Sequence, residues 1–119
     1  MQDIAPQIFR QRLLMEAIYT LEANEAKVRD YLLGLAKELD LRVYGEPLVH
    51  SPGGEGKAEN QGFDAFVPLV DSGISAYVWS AARLVSVLVY SCKRFEPQRA
   101  IGYTRKYWQA SGAVEYKEF

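Results

Sequence analysis

The sequence predicts an α+β fold: a two-layer sandwich in which one antiparallel β-sheet carries two helices on one of its faces. Three observations support this prediction. Segments with strand and helix patterns follow one another in the order β-α-β-β-β-β-α-β. The clearest strand, residues 84–92, is strongly β-branched and apolar. The clearest helix, residues 21–40, repeats its apolar residues at helical spacing.

Length and composition predict a single domain, residues 1–119, with a substantial core, since 49% of the residues are hydrophobic. The net charge of −1 comes from scattered, balanced charges, which argues against a nucleic-acid or membrane partner. The single cysteine excludes an internal disulfide and fits a reducing compartment. No apolar run is long enough to span a membrane, and the amino terminus lacks a signal-peptide pattern. We therefore expect a cytoplasmic protein.

The amino-terminal half is expected to contain strand, helix and strand. A strand is predicted over residues 11–19, and the helix follows over residues 21–40, with Asn24 as a possible N-cap. Residues 41–50 resemble a strand that Gly45 and Pro47 interrupt. The apolar helix face is expected to contain Val28, Tyr31, Leu32, Leu35 and Leu39.

A glycine-rich polar loop is predicted over residues 51–62, either as a mobile active-site loop or as a plain surface loop. It lacks the Lys-Ser/Thr pair and the following helix of a phosphate-binding loop. Strands are predicted over residues 63–70, 74–79 and 84–92. Pro97 opens a second helix that extends to residue 108, and a last strand is expected over residues 113–116.

The most informative motif is Asp71-Ser72, followed by a short apolar strand and, 20 residues after the serine, by Cys92. A chain with one histidine and one cysteine has few other ways to do covalent chemistry. The arrangement is typical of enzymes that cut their own chain at a serine to generate a pyruvoyl group.

Several strings of residues resemble the prokaryotic S-adenosylmethionine decarboxylases. The family's first strand, roughly G-R-H-L-L-A-E-F, corresponds to residues 11–17, which include Glu16. The family's E-S-H-L-S-I-H-T-W-P-E corresponds to residues 71–81, and its V-D-V-F-T-C to residues 87–92. The correspondence runs without a gap from Gly62 to Cys92 and includes Trp79.

The resemblance implies a mechanism. The Ser72 hydroxyl would attack the Asp71 carbonyl, and elimination would then cut the chain and leave a pyruvoyl group derived from Ser72. That ketone would serve as the electron sink for loss of CO₂ in polyamine synthesis. Cys92 would return a proton, for which a thiol with its ordinary pKa of about 8.5 is suitable. Glu16, Asp64 and Trp79 are the expected substrate-contacting residues.

The sequence departs from the family pattern where ionisable groups are expected. Tyr77 replaces the histidine that acts as the base in chain cleavage, and a phenol with an ordinary pKa near 10 is a poor base. Asp64 replaces a helper serine, and Ala81 replaces the acidic residue expected to hold the substrate ribose. The only histidine, His50, does not align with the lost base and is interpreted as a loop residue.

These departures leave three functions open. The first is a self-cleaving decarboxylase of S-adenosylmethionine or a related amino acid. The second is an uncut homologue that works as a binding or regulatory partner, and the third is different chemistry on S-adenosylmethionine. Apart from the resemblance, Ser72 could be a simple turn residue, Cys92 a small buried residue and Tyr77 a core or pocket aromatic. We expect a homodimer or other homo-oligomer and no metal site.

Overall fold

A computed structural model describes residues 1–51 and 53–119, and these residues form one antiparallel sheet with two helices on one face. Pro52, within the predicted loop, lies outside the described residues. The predicted fold class is confirmed, and the strands lie in the order β2-β3-β4-β5-β1-β6. The elements are β1 (Gln11–Ile18), α1 (Glu25–Glu38), β2 (Leu48–His50), β3 (Gly62–Leu69), β4 (Ser72–Trp79), β5 (Leu84–Ser91), α2 (Pro97–Trp108) and β6 (Glu115–Glu118), with a short 3₁₀ turn at Ala58–Asn60.

Both helices begin at caps that are visible in the sequence. The Asn24 side chain accepts a hydrogen bond from the Lys27 N–H at 2.9 Å, so α1 starts after Asn24 rather than at residue 21. The Glu96 carboxylate likewise accepts from the Gln98 N–H, and Pro97 occupies the first turn of α2. In the part of the chain that the structure describes, no helix is long and apolar enough to cross a membrane.

Aromatic side chains join the two helices. The Tyr31 ring lies 6.0 Å from that of Tyr103 and 5.3 Å from that of Trp108. The hydroxyl oxygens of Tyr31 and Thr104 are hydrogen-bonded at 2.7 Å, and Thr104 Oγ1 also lies 3.6 Å from the Met15 sulfur. Gly34 makes this packing possible, because a Cβ there would lie 1.8 Å from the Tyr103 hydroxyl oxygen.

Three strand predictions were wrong at their ends. The strand predicted over residues 41–50 is reduced to β2, because Gly45 and Pro47 break it and leave only an isolated bridge from Val43 to Leu69. β6 begins two residues later than predicted, because its pairing with β1 decides its position and its four residues are all exposed. β4 begins two residues earlier than predicted, at Ser72, because Ser72 pairs with both neighbouring strands.

The sheet has two different faces. On the helix-covered face the alternate residues of the central strands are buried, with Leu13, Met15 and Val87 fully excluded from solvent. The opposite face, which we call the open face, is covered by neither α-helix, although the 3₁₀ turn contacts it at Trp79. Its side chains belong to Leu14, Glu16, Ile18, Leu48, His50, Asp64, Phe66, Ser75, Tyr77, Trp79, Leu84, Ser86, Leu88 and Tyr90.

Candidate functional site

The Asp71–Ser72 peptide bond lies where a tight hairpin turn enters β4. Val70 and Asp71 form the two-residue turn between the paired residues Leu69 and Ser72. Asp71 has a φ of 59°, in the left-handed region that non-glycine residues seldom occupy, although aspartate tolerates it better than most. The interpretation of Ser72 as a turn residue is wrong, because Ser72 is the first residue of the strand. The peptide bond of interest therefore joins a strained residue to a residue fixed by the sheet.

The Asp71 carbonyl group is held by the end of β5. The backbone N–H of Cys92 donates to the Asp71 oxygen at 2.7 Å. A donor in this position withdraws electron density from the carbonyl carbon and stabilises negative charge that develops on the oxygen during attack by a nucleophile. This contact gives Cys92 a role through its backbone, in addition to any role of its thiol.

The Ser72 hydroxyl is oriented by a second serine. Ser72 Oγ lies 2.6 Å from Ser91 Oγ. Ser91 Oγ donates to the Lys93 carbonyl oxygen at 2.5 Å, so its own proton is committed and Ser72 is the donor of the pair. Ser91 is completely buried, and sequence reasoning did not assign it a role. A serine at the end of an otherwise apolar, β-branched strand was the available signal.

A shallow cavity of about 370 Å³ opens beside this peptide bond. We call it the serine pocket. Cys92 is exposed at its edge, so the alternative interpretation of this cysteine as a buried residue is wrong. The pocket is mainly apolar, which suits a site from which water is partly excluded. Its lining residues are Phe66, Asp71, Ser72, Gly73, Ser75, Leu88, Tyr90 and Cys92.

The other candidate residues form a line across the open face. Strand register places Glu16 beside Ser86, Ser86 beside Tyr77, Tyr77 beside Asp64, and Asp64 beside His50. Side chains directly opposite each other in such a ladder have their Cβ atoms about 4.5–5.5 Å apart. We call these five residues the transverse row. His50, interpreted from the sequence as a loop residue, is the last residue of β2 and belongs to this row.

The structure thus divides the candidate residues into two groups. Asp71, Ser72 and Cys92 meet at the serine pocket, whereas Glu16, Asp64 and Tyr77 belong to the transverse row. The four residue steps along β4 from Gly73, at the serine pocket, to Tyr77 separate the two groups by roughly 13 Å. Tyr77 is 43% exposed, so of the two interpretations as a core or a pocket aromatic, the core interpretation is wrong.

Trp79 lies apart from both groups, at the far end of β4. Its indole N–H donates to the Asn60 side-chain oxygen at 3.2 Å, so it ties the loop before β3 to the sheet. Among the described residues, no three histidine, cysteine, aspartate or glutamate side chains are grouped closely enough to hold a metal ion.

Comparison with known proteins identifies the family and the fold. The sequence profile described as S-adenosylmethionine decarboxylase matches residues 14–119. The crystal structure of the adenosylmethionine decarboxylase from Aquifex aeolicus VF5 superimposes with a TM-score of 0.72 at 19% sequence identity, covering 94% of this chain and 89% of the other. A search among curated proteins gave no match. At this identity the structural likeness concerns the fold alone.

Proposed function

Because the chain belongs to the S-adenosylmethionine decarboxylase family, we propose that it cuts itself between Asp71 and Ser72 and decarboxylates S-adenosylmethionine or a related amino acid. The observation that carries the proposal is the arrangement at the serine pocket. The Asp71 carbonyl is polarised by the Cys92 N–H, and the Ser72 hydroxyl is oriented by Ser91 on the neighbouring strand. A nucleophile, an electrophile and a donor for the developing charge are therefore adjacent.

The cleavage follows from ordinary ester chemistry. Ser72 Oγ attacks the Asp71 carbonyl carbon and the peptide C–N bond breaks, so the acyl group moves from nitrogen to oxygen. The hydroxyl proton passes to the Ser72 nitrogen, which becomes a free amine, and Asp71 is now joined to Ser72 by an ester. A base then removes the Ser72 Cα proton while the Cβ–Oγ bond breaks, which releases the Asp71 carboxylate. Water hydrolyses the resulting dehydroalanine with loss of ammonia and leaves a pyruvoyl group at residue 72.

The residues around Ser72 suit this group. The pyruvoyl ketone supplies an electron sink for decarboxylation when the substrate amine is bound to it. Cys92 lines the same pocket and is exposed, which supports its thiol as the proposed proton donor. Phe66, Leu88 and Tyr90 offer apolar contact to the substrate side chain. The absence of an acid at Ala81 removes the expected ribose contact, so amino acids without a nucleoside are included among the substrates proposed.

The active protein is proposed to be a homodimer formed through the open face. Phe66, Tyr77 and Tyr90 are each more than 40% exposed there, which is unusual for a monomer surface. The serine pocket and the transverse row lie on this one face but roughly 13 Å apart along β4. A two-fold axis passing between them would place the row of one copy over the pocket of its partner, so that a second copy completes the site.

A second candidate function is an uncut partner protein. It is favoured by one observation, namely that the Ser72 hydroxyl donates to another hydroxyl rather than to a base. In this case the fold and the pocket would serve binding alone.

The two candidates differ in the intact mass under denaturing conditions. A self-cleaving protein gives fragments of 71 and 48 residues, whereas an uncut one gives a single species of 13.5 kDa. A Ser72→Ala chain is the matched control, because it cannot form the ester and stays whole. If the wild type also stays whole, pyruvoyl-dependent decarboxylation is excluded. If it is cut, release of CO₂ from S-adenosylmethionine and from other α-amino acids identifies the substrate.

A further inference from the structure

Resting on the proposed function, we propose that Gln11 is a positioning residue for chain cleavage, which it promotes by fixing the segment that follows β5. Residues 92–96, which we call the connector, join Ser91 at the end of β5 to Pro97 at the start of α2. The five residues of the connector are all described and lie outside helices and strands, so the sheet alone does not fix them. The first of them nevertheless carries the N–H that binds the Asp71 carbonyl oxygen.

The Gln11 side chain binds the backbone of Phe95 through both of its polar atoms. Gln11 Nε2 donates to the Phe95 carbonyl oxygen at 2.9 Å, and Gln11 Oε1 accepts from the Phe95 N–H at 3.0 Å. A side-chain amide offers one donor group and one acceptor, so it can satisfy both backbone groups of a single residue. Because Phe95 is only 6% exposed, water is a poor alternative partner for these groups, and losing Gln11 would be costly.

Both ends of the segment from Ser91 to Phe95 are held by Gln11. Strand register places Gln11 directly opposite Ser91, the last residue of β5. The chain then leaves the sheet through residues 92–94 and returns to the Gln11 side chain at Phe95. A segment held at both ends has fewer accessible conformations than one held at a single end. The residues between the two attachments are therefore confined by Gln11.

The confined residues make the contacts at the bond to be cut. The Cys92 N–H donates to the Asp71 oxygen at 2.7 Å. Ser91 Oγ, 2.6 Å from Ser72 Oγ, accepts from the Lys93 N–H at 2.8 Å and donates to the Lys93 carbonyl oxygen at 2.5 Å. The orientation of the Ser91 hydroxyl therefore depends on where the connector places Lys93. Displacement of the connector would disturb the electrophile and the nucleophile together, and reaction rates are sensitive to such displacements.

Lys93 gives the connector a second attachment, at the C-terminal end of α1. Lys93 Nζ donates to the Asp40 carbonyl oxygen at 2.9 Å, and the Asp40 carboxylate lies 3.3 Å from the Arg99 guanidinium of α2. Lys93, Asp40 and Arg99 are all exposed, so these contacts contribute little. The proposal rests instead on Gln11, whose hydrogen bonds to Phe95 are partly buried.

The rate of chain cleavage tests the role of Gln11. Chains made by cell-free synthesis are followed by intact mass from the moment of synthesis. Gln11→Leu removes both hydrogen bonds to Phe95 at similar side-chain size and is expected to slow cleavage about tenfold or more. Gln98→Leu, the same substitution at an exposed position of α2, is the matched control and should cut at the wild-type rate. Circular dichroism of both variants in Ser72→Ala chains checks that they fold.

A double-variant cycle separates positioning from a general loss of stability. Ser91→Ala removes the contact to the Ser72 hydroxyl, so that Gln11 has less to position in that chain. Gln11→Leu should therefore slow cleavage by a smaller factor in Ser91→Ala than in the wild type. Equal factors in the two chains would mean that Gln11 and Ser91 act independently, and would overturn the proposal.

Hydroxylamine identifies the step that Gln11 affects. It attacks the ester carbonyl, leaves a hydroxamate on Asp71 and releases Ser72 with its hydroxyl and amine, so an excess of it reports the rate of ester formation. The connector holds the nucleophile and the carbonyl group, which react in this first step. Gln11→Leu should therefore slow ester formation by the same factor as overall cleavage. Recovery of the wild-type rate with hydroxylamine would assign the defect to the elimination and overturn the proposal.

Failure of this inference is distinguishable from failure of the proposed function. If the wild type is cut and Gln11→Leu is cut equally fast, the role of Gln11 is overturned and the decarboxylase remains. If the wild type is cut only by hydroxylamine, the decarboxylase is overturned, and ester formation still decides the role of Gln11. A wild type that stays whole even with hydroxylamine overturns both.

Discussion

The two faces of the sheet differ in composition and in what covers them. The helix-covered face is almost entirely apolar and is closed by α1 and α2. The open face mixes aromatic, aliphatic and ionisable side chains and contains both the serine pocket and the transverse row. The first face therefore forms the core of the fold, and the second is the face on which we propose the chemistry and the assembly to take place. Two neighbouring residues of one strand lie on different faces, because successive side chains of a strand point to opposite sides of the sheet.

The largest effect is expected on stability, when Leu13 and Leu14 are each replaced by alanine. The two residues are adjacent in β1 but face opposite sides of the sheet. Leu13 is fully buried under the helices, so Leu13→Ala should lower the free energy of unfolding by about 2–5 kcal/mol. Leu14 is only half-buried, and Leu14→Ala should cost less. Urea unfolding of both variants measures the difference. Equal losses would contradict the division of tasks between the faces.

An intermediate effect is expected when a charge is placed on the open face. Ile18 is 48% exposed and lies outside the serine pocket, so Ile18→Arg should leave the fold intact but bring an unpaired charge into the proposed dimer interface. We expect the dissociation constant of the dimer to rise about a hundredfold or more, a loss of about 2.7 kcal/mol.

Sedimentation velocity over a range of concentrations measures this change. Lys37→Glu, on the exposed part of α1, is the control and should sediment like the wild type. A wild type that is monomeric at all concentrations would remove the proposed role of the open face in assembly.

The smallest effect is a decline of stability at alkaline pH, and it arises from tyrosines on the helix-covered side of the sheet. Burial raises the pKa of the Tyr31 hydroxyl above its ordinary value of 10.0, and burial raises that of Tyr107 to about 12. The folded protein therefore retains protons that the unfolded chain releases above pH 10, so its stability should be complete below pH 10 and decline as the pH rises toward 12.

Tyr31→Phe sharpens this prediction. The variant loses the hydrogen bond to Thr104, at a cost of about 1 kcal/mol near neutral pH, and its stability should decline less steeply above pH 10. Denaturant unfolding at several pH values measures both effects. An unchanged slope would show that Tyr31 does not contribute to the alkaline decline.

Much of the fold was predictable because local patterns determine it. The Asn24 cap, the Pro97 start of α2 and the apolar run of β5 each specify one element without knowledge of the rest. The weak elements were not predictable in this way. β6 consists of Glu-Tyr-Lys-Glu and carries no apolar signal, so its position depends only on pairing with β1.

The site was predictable only in part. The Asp71-Ser72 junction and Cys92 are visible as a motif in the sequence, and the structure brings them to one pocket. The contact between Ser72 and Ser91 and the alignment of His50 with Asp64 and Tyr77 depend on strand register across the sheet. Register of distant strands is set by packing of the whole sheet, which no local pattern contains.

The order of the strands has a consequence for a chain cut after Asp71. The piece before the cut contains β1, β2, β3 and α1, and the remaining piece contains β4, β5, β6 and α2. In the sheet β1 lies between β5 and β6, so a strand of the first piece is hydrogen-bonded on both edges to strands of the second. The two pieces are interlocked and cannot drift apart without melting the sheet. Cleavage of the backbone would therefore leave the fold unchanged. The two pieces would separate only when the protein is denatured.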